Sequence, residues 1–188
     1  SVCGVSLERF SPAVRAWFEG TFPEPTPAQA LGWPAITEGQ HTLVLAPTGS
    51  GKTLAAFLWA LDRLATGPQP ASQQHRCRVL YVSPLKALAV DVQRNLRSPL
   101  AGIRQAAQRL QLPVPDITVG MRTGDTPADE RRQFARTPPD VLVTTPESLF
   151  LLLTSAARES LRGVTTVILD EVHAVAGTKR GAHLALSL

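Results

Sequence analysis

Residues 46–53 read APTGSGKT, which places a lysine and a threonine directly behind a turn rich in glycine. Gly49 and Gly51 allow the backbone to turn tightly and approach an anion, so that the N–H groups of Thr48, Gly49, Ser50 and Gly51 point inward at a phosphate. Lys52, at the start of a helix, neutralises the terminal phosphates, and the Thr53 hydroxyl is placed to ligate Mg²⁺. The pattern departs from the general phosphate-loop motif only at Ala46, where glycine is usual. A loop of this kind needs an acidic element at the end of a second strand, and residues 165–173, TTVILDEVH, supply one. Asp170 would hold Mg²⁺ and Glu171 would polarise a water for attack on the γ-phosphate.

Such residues must be carried by strands ending at one edge of a sheet. Continuous apolar, β-rich runs at 42–46, 78–83, 141–145 and 165–170 predict four strands, and 117–120 a fifth. Runs without alternation imply strands covered on both faces, hence a mostly parallel sheet between helices: an α/β fold with right-handed crossovers. Helices are predicted at 12–19, 27–37, 52–65, 85–111 with a break near Ser98-Pro99, 127–135 and 147–157. Thr26 caps the second of these, with Pro27 at its first position. The polar, proline-rich stretch 66–77 predicts an exposed loop. The domain reading is a helical segment over 1–40 followed by one lobe over 41–188.

Composition narrows the class further. The chain of 188 residues, 44% hydrophobic and 18% charged, has the balance of a globular protein. Its longest apolar run, residues 54–61, is far too short for a bilayer span, so no membrane association is expected. No secretory signal is read at the start, and Cys3 and Cys77 have no metal or disulfide spacing, which together point to the cytoplasm. A net charge of +4, from sixteen arginines and three lysines against fifteen acids, suits a polyanion partner.

With APTGSGKT and DEVH in place, the chain resembles a superfamily 2 helicase motor, and the stretches SPLKAL (83–88), RTGDT (122–126) and TTPESL (144–149) are similar to that superfamily's nucleic-acid motifs. APTGSGKTLAAFL, DEVHAV and KRGAHLALSL resemble the Lhr-type ("large helicase-related") enzymes more closely than the DEAD-box RNA helicases. The resemblance implies a RecA-like P-loop NTPase lobe that binds ATP and Mg²⁺. It implies that PTPAQ (25–29) presents the Gln29 amide to adenine, with Phe22 as a candidate aromatic beside the base. It also implies that His173 couples the ATP site to other motor elements.

Ser83, Pro84 and Lys86, Thr123 and Gly124, and Thr145 and Pro146 follow predicted strands, where helix N-termini and loop hydroxyls suit the backbone of one nucleic-acid strand without reading bases. Thr144 and Ser148 are further hydroxyl donors, and Asp125 is expected to orient its loop. Arg131, Arg132 and Arg136 are read either as a solvated helix face or as extra phosphate contacts, and Lys179-Arg180 as a contact to nucleic acid or to another domain. Single-stranded DNA or RNA and DNA–RNA hybrid are the implied partners, with unwinding 3′ to 5′. The family's second RecA-like lobe and C-terminal domains are expected as further partners, because their motifs are absent from the sequence. The reading is therefore a first, truncated lobe that binds ATP with little turnover and does not separate strands alone. Two alternatives stand: a DEAD-box-like remodeller of RNA duplexes, and a nucleotide-dependent binding module without catalysis.

Overall fold

In the computed structural model, which describes residues 7–188, four strands form one all-parallel sheet. These are β1 (Val79–Val82), β2 (Val119–Arg122), β3 (Val141–Thr144) and β4 (Thr166–Leu169), in the order β2-β3-β1-β4. Val82 pairs in register with Thr144 and with Leu169, and Thr144 with Arg122, so all four strands end level with one another. The helices are α1 (Pro12–Thr21), α2 (Pro27–Thr37), α3 (Lys52–Thr66), α4 (Lys86–Asn95), α5 (Arg97–Arg109), α6 (Ala128–Arg136), α7 (Pro146–Leu153) and α8 (Lys179–Ser187). Cys3 lies outside the described residues.

The chain divides into two compact units: Ser1–Gly67 with Arg97–Asp116, and Pro68–Leu96 with Ile117–Leu188. The sheet belongs to the second. β1 and β3, the inner strands, are buried at every position, as continuous Val/Leu runs require. Leu80, Val82 and Leu142 join Leu149 and Leu152 of α7 and Leu184 of α8 in one apolar core. Asp140, just before β3, is 2% exposed. It accepts from the Thr118 N–H (2.8 Å), the Thr118 hydroxyl (2.9 Å) and the Arg76 guanidinium (3.0 Å), with Arg78 at 3.8 Å. One carboxylate thus ties together the chain entering β1, β2 and β3. Cys77, buried among these residues, has its thiol pushed up to about 12, chiefly by desolvation, which keeps it protonated and unreactive.

The first unit is a helical assembly around aromatic rings. Trp33 is fully buried, donates its indole N–H to the Ala55 carbonyl (3.1 Å), and meets Phe10 and Phe18 edge-on at 5.1 and 5.4 Å. α2 packs on α3 and α1 on α5. At the latter contact a Cβ on Gly102 would stand 2.1 Å from the Trp17 ring, so only glycine permits this approach. Asp62 accepts the Ser11 N–H at 3.2 Å, and burial raises its carboxyl above the ordinary range.

Three expectations change. The predicted strand at 42–46 is not a strand: the described sheet lies wholly in the second unit, and Leu43 and Leu45 are 79% and 86% exposed. An apolar run encodes a wish for burial, but a strand exists only where a neighbour accepts its backbone groups. Not every strand is covered on both faces either, since β4 lies at an edge and leaves Val167 and Leu169 46% and 37% exposed. The long helix breaks at Leu96 rather than at Ser98-Pro99. Pro99 falls in the first turn of α5, where its missing N–H leaves no bond unmade.

Candidate nucleotide and nucleic-acid sites

In the first unit the loop 46–53 turns as its glycines require. Gly49 and Gly51 take φ of 79° and 80°, a left-handed conformation that a side chain resists, and α3 starts immediately at Lys52. The loop is fastened from α2. The Thr26 hydroxyl donates to the Ser50 carbonyl (2.8 Å) and the Gln29 amide nitrogen to the Gly51 carbonyl (3.4 Å). A Cβ on Gly51 would come within 2.7 Å of that same amide, so the glycine is needed for contact as well as for φ. Lys52 Nζ donates to the carbonyls of Ala46 and, at 2.9 Å, Pro47, which holds its ammonium against the loop. Thr48 and Gly49 are exposed, while the Ser50 hydroxyl is buried with no hydrogen-bond partner among the described residues.

Gln29 is placed differently from the expectation that it faces a base. It is 3% exposed, and its Oε1 accepts the Thr26 N–H (3.0 Å) in a reciprocal capping box at the start of α2. With oxygen and nitrogen both engaged, the amide serves as the tie between α2 and the phosphate loop. Phe22 packs its ring on Trp17 and Phe18, with centroids 5.9 and 4.9 Å away.

In the second unit the level strand ends bring Ser83, Thr123, Thr145 and Asp170 to the same, C-terminal edge of the sheet, the edge at which open α/β sheets hold ligands. Asp170 follows β4 and accepts a hydrogen bond from the Tyr81 hydroxyl. Tyr81 pairs with Ile168, so Asp170 is its diagonal neighbour two residues on, on the same face. Desolvation first, and then the carboxylates of Asp170 and Glu171, push the phenol far above its ordinary range, so it remains a donor. The residue was missed by sequence reasoning. Its signal was available, because the chain's single tyrosine sits in an otherwise aliphatic strand.

Glu171 adopts a left-handed φ of 47°, unusual for a residue with a side chain, and its N–H donates to the Asp170 carboxylate at 3.0 Å. His173 Nε2 stands 3.3 Å from Glu171 Oε2 and is 81% exposed at its side chain. The histidine is thus in direct contact with the proposed water-polarising carboxylate.

Of the residues assigned to nucleic acid, Lys86 and Gly124 are exposed, whereas Ser83, Pro84, Thr123, Thr145 and Pro146 are buried. The buried hydroxyls serve local structure. Thr145 caps α7 by accepting the Ser148 N–H and donates its hydroxyl to Ser148 Oγ at 3.2 Å, and Thr144 donates to the Arg122 carbonyl at 2.6 Å, so the hydroxyl protons of Thr144 and Thr145 are used within the fold. Lys86 is ion-paired with Asp125, which joins the loop after β1 to the loop after β2, in line with an orienting role for that aspartate. The pair holds the Asp125 carboxyl below its ordinary range. Arg131 donates to the carbonyls of Thr126 (2.7 Å) and Gly124 (2.8 Å), so it pins the RTGDT loop instead of lying free on a helix face.

A resident metal would require a cluster of donors, and among the described residues no group of three or more His, Cys, Asp or Glu side chains could hold one. Mg²⁺ keeps most of its waters and arrives with nucleotide phosphates, so it asks few side-chain donors of a protein. Among the described residues no helix is long and apolar enough to cross a membrane.

Comparison with known proteins identifies the family. The family model for DEAD/DEAH box helicases matches residues 26–188. Over 182 residues the chain is 68% identical to a Mycolicibacterium smegmatis protein described as Lhr helicase/probable uracil glycosylase, covering 97% of this chain and 12% of that protein. It is 59% identical over 183 residues to the Escherichia coli Lhr helicase/uracil glycosylase, covering 95% and 12%. The structure of the Mycobacterium smegmatis helicase Lhr bound to ssDNA and AMP-PNP superposes with a TM-score of 0.91 at 66% identity, covering 97% of this chain and 23% of that one. The chain therefore spans about an eighth of the length of these curated bacterial relatives. The α/β lobe with its phosphate loop, its DEVH strand end and the intervening motifs in order belongs to the DEAD/DEAH box helicase family, in its Lhr-type branch.

Proposed function

We propose that this chain is the ATP-binding motor lobe of a helicase that couples ATP hydrolysis to tracking along one nucleic-acid strand and to opening of DNA or DNA–RNA hybrid duplexes. The observation that carries the reading is the phosphate loop itself: two left-handed glycines, tied down from α2, deliver Lys52 and Thr53 at the start of α3. In this reading Thr48, Gly49, Ser50, Gly51 and Lys52 hold the phosphates, while Thr53 and Asp170 hold Mg²⁺. Tyr81 fixes the Asp170 carboxylate, Glu171 polarises water, and His173 passes the state of Glu171 outward. Lys86, Gly124 and the loops that follow β1, β2 and β3 grip phosphates of the strand. The similar Lhr structure with ssDNA and AMP-PNP supports both ligands. A second lobe and further domains of a longer protein complete the motor, the direction of travel is 3′ to 5′, and the compartment is the cytoplasm.

Binding of a fluorescent oligonucleotide followed by anisotropy tests the nucleic-acid half of the reading. Single strands of different sequence are expected to bind within about threefold of each other, with log affinity falling linearly against log salt. Strong dependence on base sequence, or no affinity for single strands with or without AMP-PNP, would refute it.

A further inference from the structure

Arg180, in the second unit, joins three separate motifs. Its Nη2 donates to the Pro84 carbonyl at 2.7 Å, in the loop after β1, and its Nε donates to Glu147, in the first turn of α7 after β3. Arg180 itself stands in the first turn of α8, which follows the DEVH segment through the short 3₁₀ turn Val172–Ala174. A cation in the first turn of a helix opposes the helix dipole, so the position has a local cost that the Glu147 carboxylate offsets. The pairing holds Glu147 below its ordinary range and raises Arg180, each shift caused first by their mutual hydrogen bond.

The start of α8 is also fixed rigidly. The Thr178 hydroxyl donates to the Val175 carbonyl (2.6 Å) and accepts the Gly181 N–H (3.2 Å). A Cβ on Gly181 would stand 2.2 Å from the same Val175 carbonyl, and Val175 is 2% exposed within the core. The sequence Thr178-Lys-Arg-Gly181 thus anchors a guanidinium to the far side of the DEVH turn. A shift of that turn would carry Arg180 with it, and Arg180 would carry Pro84 and Glu147.

We propose that Arg180 is a positioning residue that links the DEVH segment to the nucleic-acid loops after β1 and β3, so that nucleotide state and grip on the strand change together. This rests on the assignment of those loops to nucleic acid. Both partners are about half exposed at their side chains, 44% for Arg180 and 52% for Glu147, and such pairs contribute little to overall stability. The link is therefore expected to be visible in coupling and silent in folding.

The test uses the full-length protein and its ATPase activity titrated with single-stranded DNA. Arg180→Ala is expected to raise the DNA concentration for half-maximal stimulation about tenfold. Nucleotide affinity without DNA and the thermal midpoint should stay at wild-type values, a split that a folding defect would not produce. Glu147→Gln, which keeps the carbonyl contact, should give a smaller shift in the same direction. The double variant should do no more than Arg180→Ala alone. The salt slope of DNA binding distinguishes a link from a direct contact, because a lost phosphate contact lowers the slope by about one and a lost link leaves it unchanged. An Arg180→Ala protein that responds to DNA as wild type does, or shows the lower slope, overturns the proposal while leaving the helicase reading in place. A wild-type protein indifferent to DNA overturns both.

Discussion

Replacing Glu171 by glutamine is expected to lower DNA-stimulated ATP turnover in the full-length protein by about 10² to 10⁴-fold while leaving nucleotide affinity within about threefold. The amide keeps the size of the side chain and, by accepting through its oxygen, much of its hydrogen bonding, but it cannot take up the proton of an attacking water. Nucleotide binding relies on the phosphate loop, so ground-state affinity and chemistry should separate. The left-handed backbone at Glu171 adds to the case, because strained conformations in side-chain-bearing residues are retained where they aim a functional group. Steady-state phosphate release with a parallel nucleotide titration measures both quantities. Turnover within tenfold of wild type would assign the water to another residue.

The second large effect concerns stability. Asp140→Ala is expected to destabilise the sheet unit by about 3–5 kcal/mol, read as a fall in the urea midpoint. The carboxylate is 2% exposed and receives four donor groups from the Arg76 and Thr118 side chains and backbone, with Arg78 nearby. Its loss removes the carboxylate that faces two guanidinium groups whose side chains are only 21% and 15% exposed, and leaves the Thr118 N–H without its acceptor. Asp140→Asn keeps the volume and part of the hydrogen bonding, so about half that loss is expected. A fall below 1 kcal/mol for the alanine variant would mean that the ladder alone sets the register of β1, β2 and β3.

What the sequence made legible follows from how local the determinants are. The strands near 79–82, 141–144 and 166–169 come directly from short runs of Val, Ile and Leu, and α2 came out at its observed bounds because a cap and a proline mark its start. The phosphate loop was legible for the same reason, since its function depends on glycines adjacent in sequence. The partners of polar side chains were not. Tyr81 and Asp170 are 89 positions apart, Pro84 and Arg180 are 96 apart, and Lys86 and Asp125 are 39 apart. Each pairing exists only once parallel pairing has brought the strand ends together, so composition and spacing carry no trace of it. Gln29 shows the converse difficulty: a residue next to a cap can be claimed by the helix it starts. The run 42–46 shows that apolar character predicts burial better than it predicts a hydrogen-bonding partner.

The loop 46–53 is proposed as a working phosphate site whose affinity runs through Lys52. Calorimetric titration of Mg-ATP into the protein and into Lys52→Ala tests it directly. Saturable binding to the unaltered protein, weakened at least about tenfold by the substitution with an unchanged circular dichroism spectrum, is the predicted result. Equal affinity in the two proteins, or no binding to either while both are folded, would contradict the account.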